Sequence, residues 1–564
     1  MFLESTISDI ENYPFLNPFR FENDPSKKYW HISTLESLLE ENWNSIEEGV
    51  TENREYLAAR EKIFSSSVFQ YFTDQKNRII QESLETDNSF QILGAYTCLL
   101  DSIVQTAFDY SFIDIPLIKE RLLEELNHEL NYKQKNLPEK KEKLKLLKEQ
   151  ILEMEKNLES GSSSSREYRY FQEVESQHES ETRVLEERIE ELQQLIPQIQ
   201  DFTNDKNFVL NHLVIFARGG YGRAELGLSS DRDLGYCLDT NRLNNGEAEM
   251  LRQLIVHIEN LLRNSGVETA HQYFEIDEDL SRFDEVNTLH TIPSILESRV
   301  LLGSESLATN LKNRFFQVIT FEPYVLNLVR SFSESKEPEL NRMDLKMDYG
   351  GLRSLQIPLW ITAATFGIFP SQTADLLAFL IQKHLLSHRQ ALKLCQALEF
   401  LHDLRNFSAV AKEHYFDNEA RDIGCVQENL LQDQLNDSLE RLYLLKKNRF
   451  KNVDEFDRFR LQMMEQIGEL SKVILDRLLD RTIVRTFSKF QVVVHLGNRR
   501  VVEIHALEGL PQVPLTLIFD EPQTLLELFV YLGHSDYDLT YDLKDEMASL
   551  IAHFTPELMK VNQH

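Results

Sequence analysis

The feature that most constrains this chain is residues 217–236, ARGGYGRAELGLSSDRDLGY, which directly follow the apolar run HLVIF. Gly219, Gly220 and Gly222 give this stretch a backbone that can take positive φ and approach a ligand closely. We predict a helix start at YGRAEL, and the backbone N–H groups of such a turn suit phosphate oxygens. The stretch therefore predicts a phosphate-binding turn that follows a strand.

Two aspartates, Asp231 and Asp233, stand at the mouth of a second predicted strand, DLGYCLDT. Because strand side chains alternate between faces, both carboxylates point one way and Arg232 points the other. Paired carboxylates suit Mg²⁺, which proteins bind through one or two carboxylates together with substrate phosphates. Arg223 and Ser230 add donors for a triphosphate. Such an arrangement is what metal-assisted nucleotidyl transfer requires.

Other glycine-rich or acidic motifs do not fit the spacing. A dinucleotide fingerprint would require a third glycine where Glu225 stands. An EF-hand loop that begins at Asp231 would require glycine at Tyr236 and an acid at Arg242. The Gly-Lys-Ser or Gly-Lys-Thr of a P-loop does not occur in this stretch.

Composition narrows the class of protein. A chain of 564 residues has room for two to four domains, and it contains no apolar run long enough to span a membrane. Its start lacks a secretory signal, and its four cysteines form no CxxC pair, so we expect a cytoplasmic protein. Acids outnumber bases 92 to 60, for a formal charge of −32, which disfavours nucleic acid and membrane surfaces as partners.

The periodicity divides the chain into five predicted segments. They are a helical region at 1–117, an antiparallel coiled-coil hairpin at 118–200, the domain with the opening stretch at 201–335, a helical domain at 336–485 and a small mixed α/β region at 486–564. The hairpin has two apolar seams, Leu144, Leu147, Ile151, Met154 and Leu158, and Leu185, Ile189, Leu192 and Ile196. We interpret it as a spacer or docking arm, for a partner or for self-association.

Within residues 201–335 the pattern predicts strands in FVLNHLVIFA, DLGYCLDT and VETAHQYFEI. It predicts helices in EAEMLRQLIVHIENLLRNSG and TIPSILESRVLLG. Residues 355–485 are predicted to be largely helical, and FQVVVHLGNRRVVEIHA near the end is predicted to form strands.

The opening stretch resembles the nucleotidyltransferase signature of the [protein-PII] uridylyltransferases, GGYGR-x-EL followed by SD-x-DL. Four further stretches resemble blocks of that family in the family's order: ILESRVLLGS at 295–304, LKMDYGGLRSLQIPLW at 345–360, FLHDLRN at 400–406 and FDEPQTLLELFVYLG at 519–533. The resemblance implies an α+β, predominantly helical chain, with a polymerase-β-like nucleotidyltransferase domain at 201–335 and flanking helical domains.

The resemblance also implies a site. Asp231 and Asp233 would be catalytic and would ligate Mg²⁺, with Mn²⁺ as a possible substitute. The nucleotide would be held by two groups of residues, Gly219, Gly220, Arg223 and Ser230 at its phosphates, and Lys346, Gly350, Gly351 and Arg353 on the second face of the cleft.

Two departures from the family pattern concern acidic residues. Thr288 stands where the family has an aspartate, so Asp284, Glu268 or Glu275 would have to supply a third carboxylate. The family's GGLRD block ends in Ser354 here.

The uridylyltransferases continue into an HD hydrolase and two ACT modules, and the sequence ends before both. We therefore expect no HD site, and we interpret His402 and Asp403 as an ordinary pair on a helix surface.

Together these features predict a metal-dependent nucleotidyltransferase of signal transduction. It would transfer a nucleoside monophosphate from UTP or ATP to a protein acceptor, PII-like or other. The alternative is a nucleotide-binding regulatory protein in which catalysis is impaired.

Overall fold

The structure is a computed structural model that describes part of the 564-residue chain. The described residues are 39, 53–85, 89–159, 165–228, 230–276, 291–318, 321–338, 344–369, 372–383, 385–419, 450–478, 481–486, 490–496, 500–506 and 538–539. Within these ranges, no helix combines the length and apolar character needed to cross a bilayer. The FDEPQTLLELFVYLG block lies outside them.

Two helices, α1 (Asn53–Glu85) and α2 (Ser89–Ile113), form the first part of the described chain, in agreement with the predicted helical region. They pack on one another through aromatic and aliphatic side chains that are almost fully removed from water. The central ones are Phe64, Val68, Tyr96, Leu99 and Ile103. These residues belong to a core that continues into the sheet described below.

Two long helices, α3 (Ile115–Glu159) and α4 (Ser165–Asp201), run antiparallel to each other and form the hairpin. Charged pairs join them along their length, including Glu129 with Arg188 and Lys148 with Glu179. The base of the hairpin is not a separate unit, because Leu192 and other residues near its ends lie in the same core as α1 and α2.

A four-stranded sheet forms the centre of the next segment. Its strands are β1 (Leu213–Ala217), β2 (Asp233–Leu238), β3 (Ala270–Glu275) and β4 (Arg299–Gly303), in the order β3-β2-β1-β4. Strands β2 and β3 are parallel, and the other neighbours are antiparallel. The helices around the strands are α5 (Lys206–His212), the single turn α6 (Gly219–Gly222), α7 (Asn245–Asn264) and α8 (Thr291–Leu296).

The predicted strands β2 and β3 and the predicted helix α7 are confirmed. The prediction for FVLNHLVIFA was half wrong, because its first part is α5, a helix that begins where the Asp205 side chain accepts a hydrogen bond from Asn207 N. The predicted helix TIPSILESRVLLG was also half wrong, because it divides into α8 and β4. Pairing with β1 stabilises the second half as a strand, and local periodicity does not carry that information.

Gly235 fixes the position of β2 against β1. It lies opposite Phe216, and a β-carbon at this glycine would stand 2.2 Å from Phe216 Cε2. The phenyl ring therefore occupies the space that a side chain would need. Since strand register sets which residues face each side of the sheet, this contact helps to place Asp233, two residues before Gly235.

Within the described residues, six further helices follow the sheet. They are α9 (Glu305–Val318), α10 (Phe321–Ser333), α11 (Leu352–Phe366), α12 (Thr373–Gln382), α13 (His388–Glu419) and α14 (Val453–Leu478). Helices α11 to α14 share a core with Phe90 and Leu93 of α2. The helical character predicted for residues 355–485 is confirmed in these helices and wrong for residues 481–485, which lie in a strand described below. Helix α13 also contacts α2, since Ser89 donates to the Glu399 carbonyl.

The described part of the C-terminal region is a second sheet. Its strands are β5 (Arg481–Thr486), β6 (Phe490–Leu496), β7 (Arg500–Ala506) and β8 (Asp538–Leu539). Strands β5, β6 and β7 form an antiparallel meander, and β8 pairs in parallel with β7. The strands predicted in FQVVVHLGNRRVVEIHA are thus present.

Candidate functional site

A cleft with a volume of about 200 Å³ opens between the sheet and the helical region. The sheet side contributes the turn α6, the start of β2 and the end of α8. The helical side contributes residues around α11 and α13. The polar and charged residues that line the cleft are Arg223, Glu225, Ser230, Asp231, Asp233, Ser294, Glu297, Lys346, Arg353, Gln356, His402 and Arg405, and Gly219 and Gly220 also lie on its surface.

The glycine turn and the aspartate pair are in direct contact. Arg218 N donates to the Asp233 carbonyl, which brings the end of β1 beside the start of β2. Gly219 follows with φ of +54°, and a β-carbon there would stand 3.4 Å from Asp233 Oδ2. The structure thus brings together the two motifs that the sequence indicated, since backbone and carboxylate share one edge of the cleft.

The alternation predicted for the aspartates is present. Asp231 is exposed and Asp233 is half-buried, and both line the cleft. Arg232 points away from it: its guanidinium donates to Tyr96 Oη at 3.0 Å and lies over the Phe72 ring. The arginine therefore anchors this strand to the N-terminal helices and leaves both carboxylates free to face the cleft.

An arginine that the sequence analysis did not single out lies behind the aspartates. Arg218 is buried, donates to the Leu234 carbonyl and to Gln272 Oε1, and stands 3.9 Å from Asp233 Oδ1. Burial raises the pKa of Asp233, Arg218 counteracts this rise, and Asp231 adds to it. A positive charge thus already lies beside one of the two candidate metal ligands.

The two described candidates for a third carboxylate do not reach this edge. Glu275 lies opposite Leu238, at the far end of β2, where it accepts from Arg252. Glu268 is exposed and does not line the cleft. Asp284 and Thr288 lie outside the described residues. In the part of the chain that the structure describes, no group of three or more His, Cys, Asp or Glu side chains is placed to hold a metal.

The donors present nevertheless fit Mg²⁺. Asp231 and Asp233 supply hard oxygen ligands on one edge of the cleft, and Ser230 Oγ beside them is buried with no hydrogen-bond partner within the described residues. Mg²⁺ commonly binds through two carboxylates and completes its shell with water and substrate phosphates. The residues present are therefore of a kind that Mg²⁺ accepts as ligands.

Arg223 is less available to phosphate than its sequence position suggested. It is buried, and its guanidinium donates to Glu225 at 2.8 Å and to Glu297 at 2.6 Å. Burial lowers the pKa of Arg223, but Glu297 and Glu225 raise it by more, so it is firmly charged. Glu225 also accepts from the Thr373 hydroxyl. The arginine therefore holds the cleft together through two acids.

The helical side of the cleft carries positive charge. Burial and the neighbouring Arg223 and Arg405 lower the pKa of Arg353 to about 10. Burial and the neighbouring arginines likewise lower the pKa of Lys346. Side chains that depress one another's pKa in this way would be stabilised by an anion placed between them. This face, called here the cationic wall, consists of Lys346, Arg353 and Arg405.

Gly350 and Gly351 do not line the cleft. A β-carbon on Gly350, which has φ of +78°, would stand 1.8 Å from the Met464 carbonyl oxygen, so this glycine lets the turn pack on α14. Gly351 is the N-cap of α11. The Ser354 hydroxyl accepts from Gly350 N at 2.9 Å, so the serine closes this same turn. The turn thus supports Lys346 and Arg353, which line the cleft on either side of it in sequence.

His402 is buried and lines the cleft, so its interpretation as part of a helix-surface pair was wrong. Its ring packs near Phe90, with centroids 5.5 Å apart. Burial, Arg405 and Arg223 lower the pKa of His402 to about 4, although Glu225 opposes this. The imidazole is therefore neutral near pH 7.

The cleft is also lined by four residues for which no role was predicted from the sequence, Glu225, Glu297, Trp360 and Arg405. All four lie in the blocks that resemble the uridylyltransferases, AEL, LES, PLW and DLR. Their position in those blocks was the available signal. Their chemistry was not apparent, because an acid in an apolar helix and a tryptophan in a long hydrophobic run are also typical of ordinary structural residues.

Comparisons with known proteins point to the same family. Residues 330–417 match the family model described as GlnD PII-uridylyltransferase. Bifunctional uridylyltransferase/uridylyl-removing enzymes are similar over longer stretches. The protein of Azospirillum brasilense is 24% identical over 342 residues, which is 58% of this chain and 33% of that protein. The protein of Ectopseudomonas mendocina is 30% identical over 206 residues, which is 34% of this chain and 21% of that protein.

The aligned segments thus span a third or less of these two relatives. They cover more of this chain than the stretch of 88 residues (330 to 417) that the family model matches. The chain is therefore PII-uridylyltransferase-like in sequence, which confirms the resemblance carried by its motifs and supports a nucleotidyltransferase-like function.

Proposed function

We propose that this chain is a cytoplasmic, metal-dependent nucleotidyltransferase with a polymerase-β-like catalytic domain. It transfers a nucleoside monophosphate from UTP or ATP to a hydroxyl group of a protein acceptor. The observation that carries this proposal is the placement of the Gly219 turn and the Asp231/Asp233 pair on one edge of a cleft whose opposite side is the cationic wall.

The two sides suit different parts of a nucleoside triphosphate. Asp231, Asp233 and the Ser230 hydroxyl would hold Mg²⁺ and, through it, phosphate oxygens. When bound, the ion supplies Lewis-acid stabilisation of charge on the phosphate oxygens. Lys346, Arg353 and Arg405 would bind the two terminal phosphates, since a cation-rich, partly buried surface favours the leaving pyrophosphate.

The transfer exchanges one bond to phosphorus for another. The acceptor hydroxyl oxygen bonds to the α-phosphorus, and the bond from that phosphorus to the bridging oxygen of the β-phosphate breaks. Pyrophosphate leaves with the electron pair, and the hydroxyl proton passes to solvent. In this scheme the cationic wall neutralises the charge that builds up on the leaving group.

The test is transfer of label from α-labelled UTP or ATP, with Mg²⁺ or Mn²⁺, to the chain itself or to proteins of a host lysate. Asp233→Asn should reduce the rate of transfer at least about tenfold, because the amide keeps the shape of the side chain but removes a negatively charged ligand. A tenfold loss corresponds to a rise of about 1.4 kcal/mol in the activation free energy. Asp239→Asn is the matched control, since Asp239 follows the same strand at its other end.

Binding provides a second measurement. Calorimetry should show that Mg²⁺ tightens UTP or ATP binding to the wild-type chain and that Asp233→Asn removes this effect. Equal affinities in Mg²⁺ and in EDTA would contradict the metal-bridged site. Nucleotide binding without any label transfer, across both nucleotides and both metals, would contradict the enzyme and favour a regulatory nucleotide-binding protein.

A further inference from the structure

Glu297 lies where the two sides of the cleft meet. It follows α8 directly and is almost fully buried. One carboxylate oxygen, Oε2, accepts from Arg223 Nη1 at 2.6 Å, on the sheet side. The other, Oε1, accepts from the indole Nε1 of Trp360 at 2.7 Å, on helix α11. A single carboxylate thus joins the glycine motif to the helical region.

Trp360 in turn supports a member of the cationic wall. Arg353 and Trp360 are seven residues apart on α11, which places them two turns apart on the same face of the helix. The guanidinium carbon of Arg353 lies 4.8 Å from the centre of a Trp360 ring. Arg353 Nε is buried and has no hydrogen-bond partner among the described residues. The tryptophan ring is therefore a described contact that supports this guanidinium.

We propose that Glu297 and Trp360 are positioning residues that together direct Arg353 toward the terminal phosphates of the bound nucleotide. The inference deepens the proposed function and rests on it. Glu297 fixes the indole by accepting its N–H, and the indole fixes the guanidinium by contact with its face. Neither residue has to touch the nucleotide for the affinity to depend on it.

Positioning by Glu297 and the negative charge of Glu297 have opposite effects on the affinity for a triphosphate. Removing a carboxylate from an anion-binding cleft should strengthen binding of a triphosphate if charge alone mattered. If Glu297 acts by positioning, Glu297→Gln weakens binding instead, because the amide can offer an N–H to Arg223 or to the indole where only an acceptor fits. The sign of the change separates the two explanations.

The experiment measures binding of ATP and UTP to the full chain in Mg²⁺ by calorimetry. Trp360→Phe removes the indole N–H but keeps an aromatic ring, and it should weaken binding about fivefold, as should Glu297→Gln. Glu305→Gln removes an exposed carboxylate on α9 that does not line the cleft, and it serves as the control for net charge. Thermal unfolding of each variant shows whether it is folded.

A double-mutant cycle distinguishes positioning from general support. In an Arg353→Ala background, Trp360→Phe should have no further effect on affinity, because the group that it directs is absent. Equal effects of Trp360→Phe in both backgrounds, unchanged affinity in the single variants, or tighter binding by Glu297→Gln would each overturn the inference. If Glu297→Gln fails to fold, the Trp360→Phe cycle decides. A wild-type chain that binds neither nucleotide would instead refute the proposed function itself.

Discussion

Gly219 and Asp233 lie so close that a β-carbon on the glycine would stand 3.4 Å from Asp233 Oδ2. The glycine also has φ of +54°, a region that side chains disfavour. Two independent constraints therefore act at one position: the backbone conformation and the space beside a candidate metal ligand.

Gly219→Ala should reduce both stability and metal-dependent nucleotide binding. Gly367→Ala is a close control, since Gly367 has φ of +62° at the end of α11 and is next to Phe316. Each substitution should cost about 1–2 kcal/mol of unfolding free energy from the backbone alone. Calorimetry in Mg²⁺ should show weaker nucleotide binding only for Gly219→Ala, and an equal loss in both variants would assign Gly219 a purely structural role.

Arg218 should oppose metal binding at Asp233, because its guanidinium lies 3.9 Å from Asp233 Oδ1. Arg218→Met keeps a long side chain and removes the charge, so the affinity for Mn²⁺ alone should rise by about three- to tenfold. Arg232→Met is the control, because Arg232 directly precedes Asp233 in sequence but points away from the cleft and contacts Tyr96. Titration followed by electron paramagnetic resonance measures free Mn²⁺. Weaker Mn²⁺ binding by Arg218→Met would mean that the arginine instead organises the site.

A buried histidine should make the stability of the chain depend on pH. His257 on α7 lies 3.4 Å from both Glu61 of α1 and Asp114, which in turn pairs with Arg60. Burial lowers the pKa of His257, but the nearby carboxylates of Asp114 and Glu61 raise this pKa by more, so it lies above its ordinary value of 6.5. The interaction with His257 lowers the pKa of Glu61; burial opposes this shift and Arg121 adds to it.

The directions of these two pKa shifts define the pH range in which each residue stabilises the fold. The stabilisation from His257 is fully present below pH 6.5 and disappears as pH rises through its folded pKa. The stabilisation from Glu61 is present above pH 4.5 and disappears as pH falls. His257→Gln should therefore cost on the order of 1–3 kcal/mol near pH 6 and progressively less at alkaline pH. Urea unfolding from pH 5 to 9 tests this, with the exposed His128→Gln as control. A constant difference across this range would contradict the assignment.

The outer part of the hairpin should be dispensable for folding, whereas its base should be required. Excision of residues 136–186, with a short glycine-serine linker, retains the Glu129–Arg188 pair and all of the core residues near the ends of α3 and α4. Excision of residues 122–198 also removes Leu122, Leu192 and Ile196, which lie in the main core. Thermal unfolding should stay cooperative in the shorter deletion and broaden or shift strongly downward in the longer one. Equal behaviour of the two deletions would mean that the base contributes no stability.

Local periodicity predicted much of the fold. The helix α7 was recognisable because its apolar residues recur at helical spacing and Asn244 caps it. Strand β4 was not, because RVLLG is short and apolar and becomes a strand through its pairing with β1. The hairpin seams indicated two long helices, but they did not show where the hairpin ends and the core begins, since apolar residues serve both purposes.

For the candidate site, the sequence indicated the motifs but not their partners. Gly219 and Asp233 lie close together because β1 and β2 are adjacent antiparallel strands. The two residues are only fourteen positions apart in sequence (233 minus 219), so a short connection between the strands brings them together. The contact of Glu297 with Trp360 spans 63 residues and depends on how α11 packs on the sheet. Gly350 looked like a ligand-binding glycine, whereas the close approach that it permits is to Met464 of α14.

The residues that line the two sides of the cleft are synthesised at different times. Its edge residues Gly219 to Asp233 leave the ribosome well before Arg405, which is 172 residues after Asp233 (405 minus 233). At about 5–20 residues per second, the carboxylates would wait on the order of ten to thirty seconds for the last cation of the opposite wall. If the cleft binds a triphosphate as proposed, a nascent chain would display the acidic edge before the cationic wall is complete. Nucleotide binding would then report that translation has passed Arg405 and that the two sides of the cleft have met.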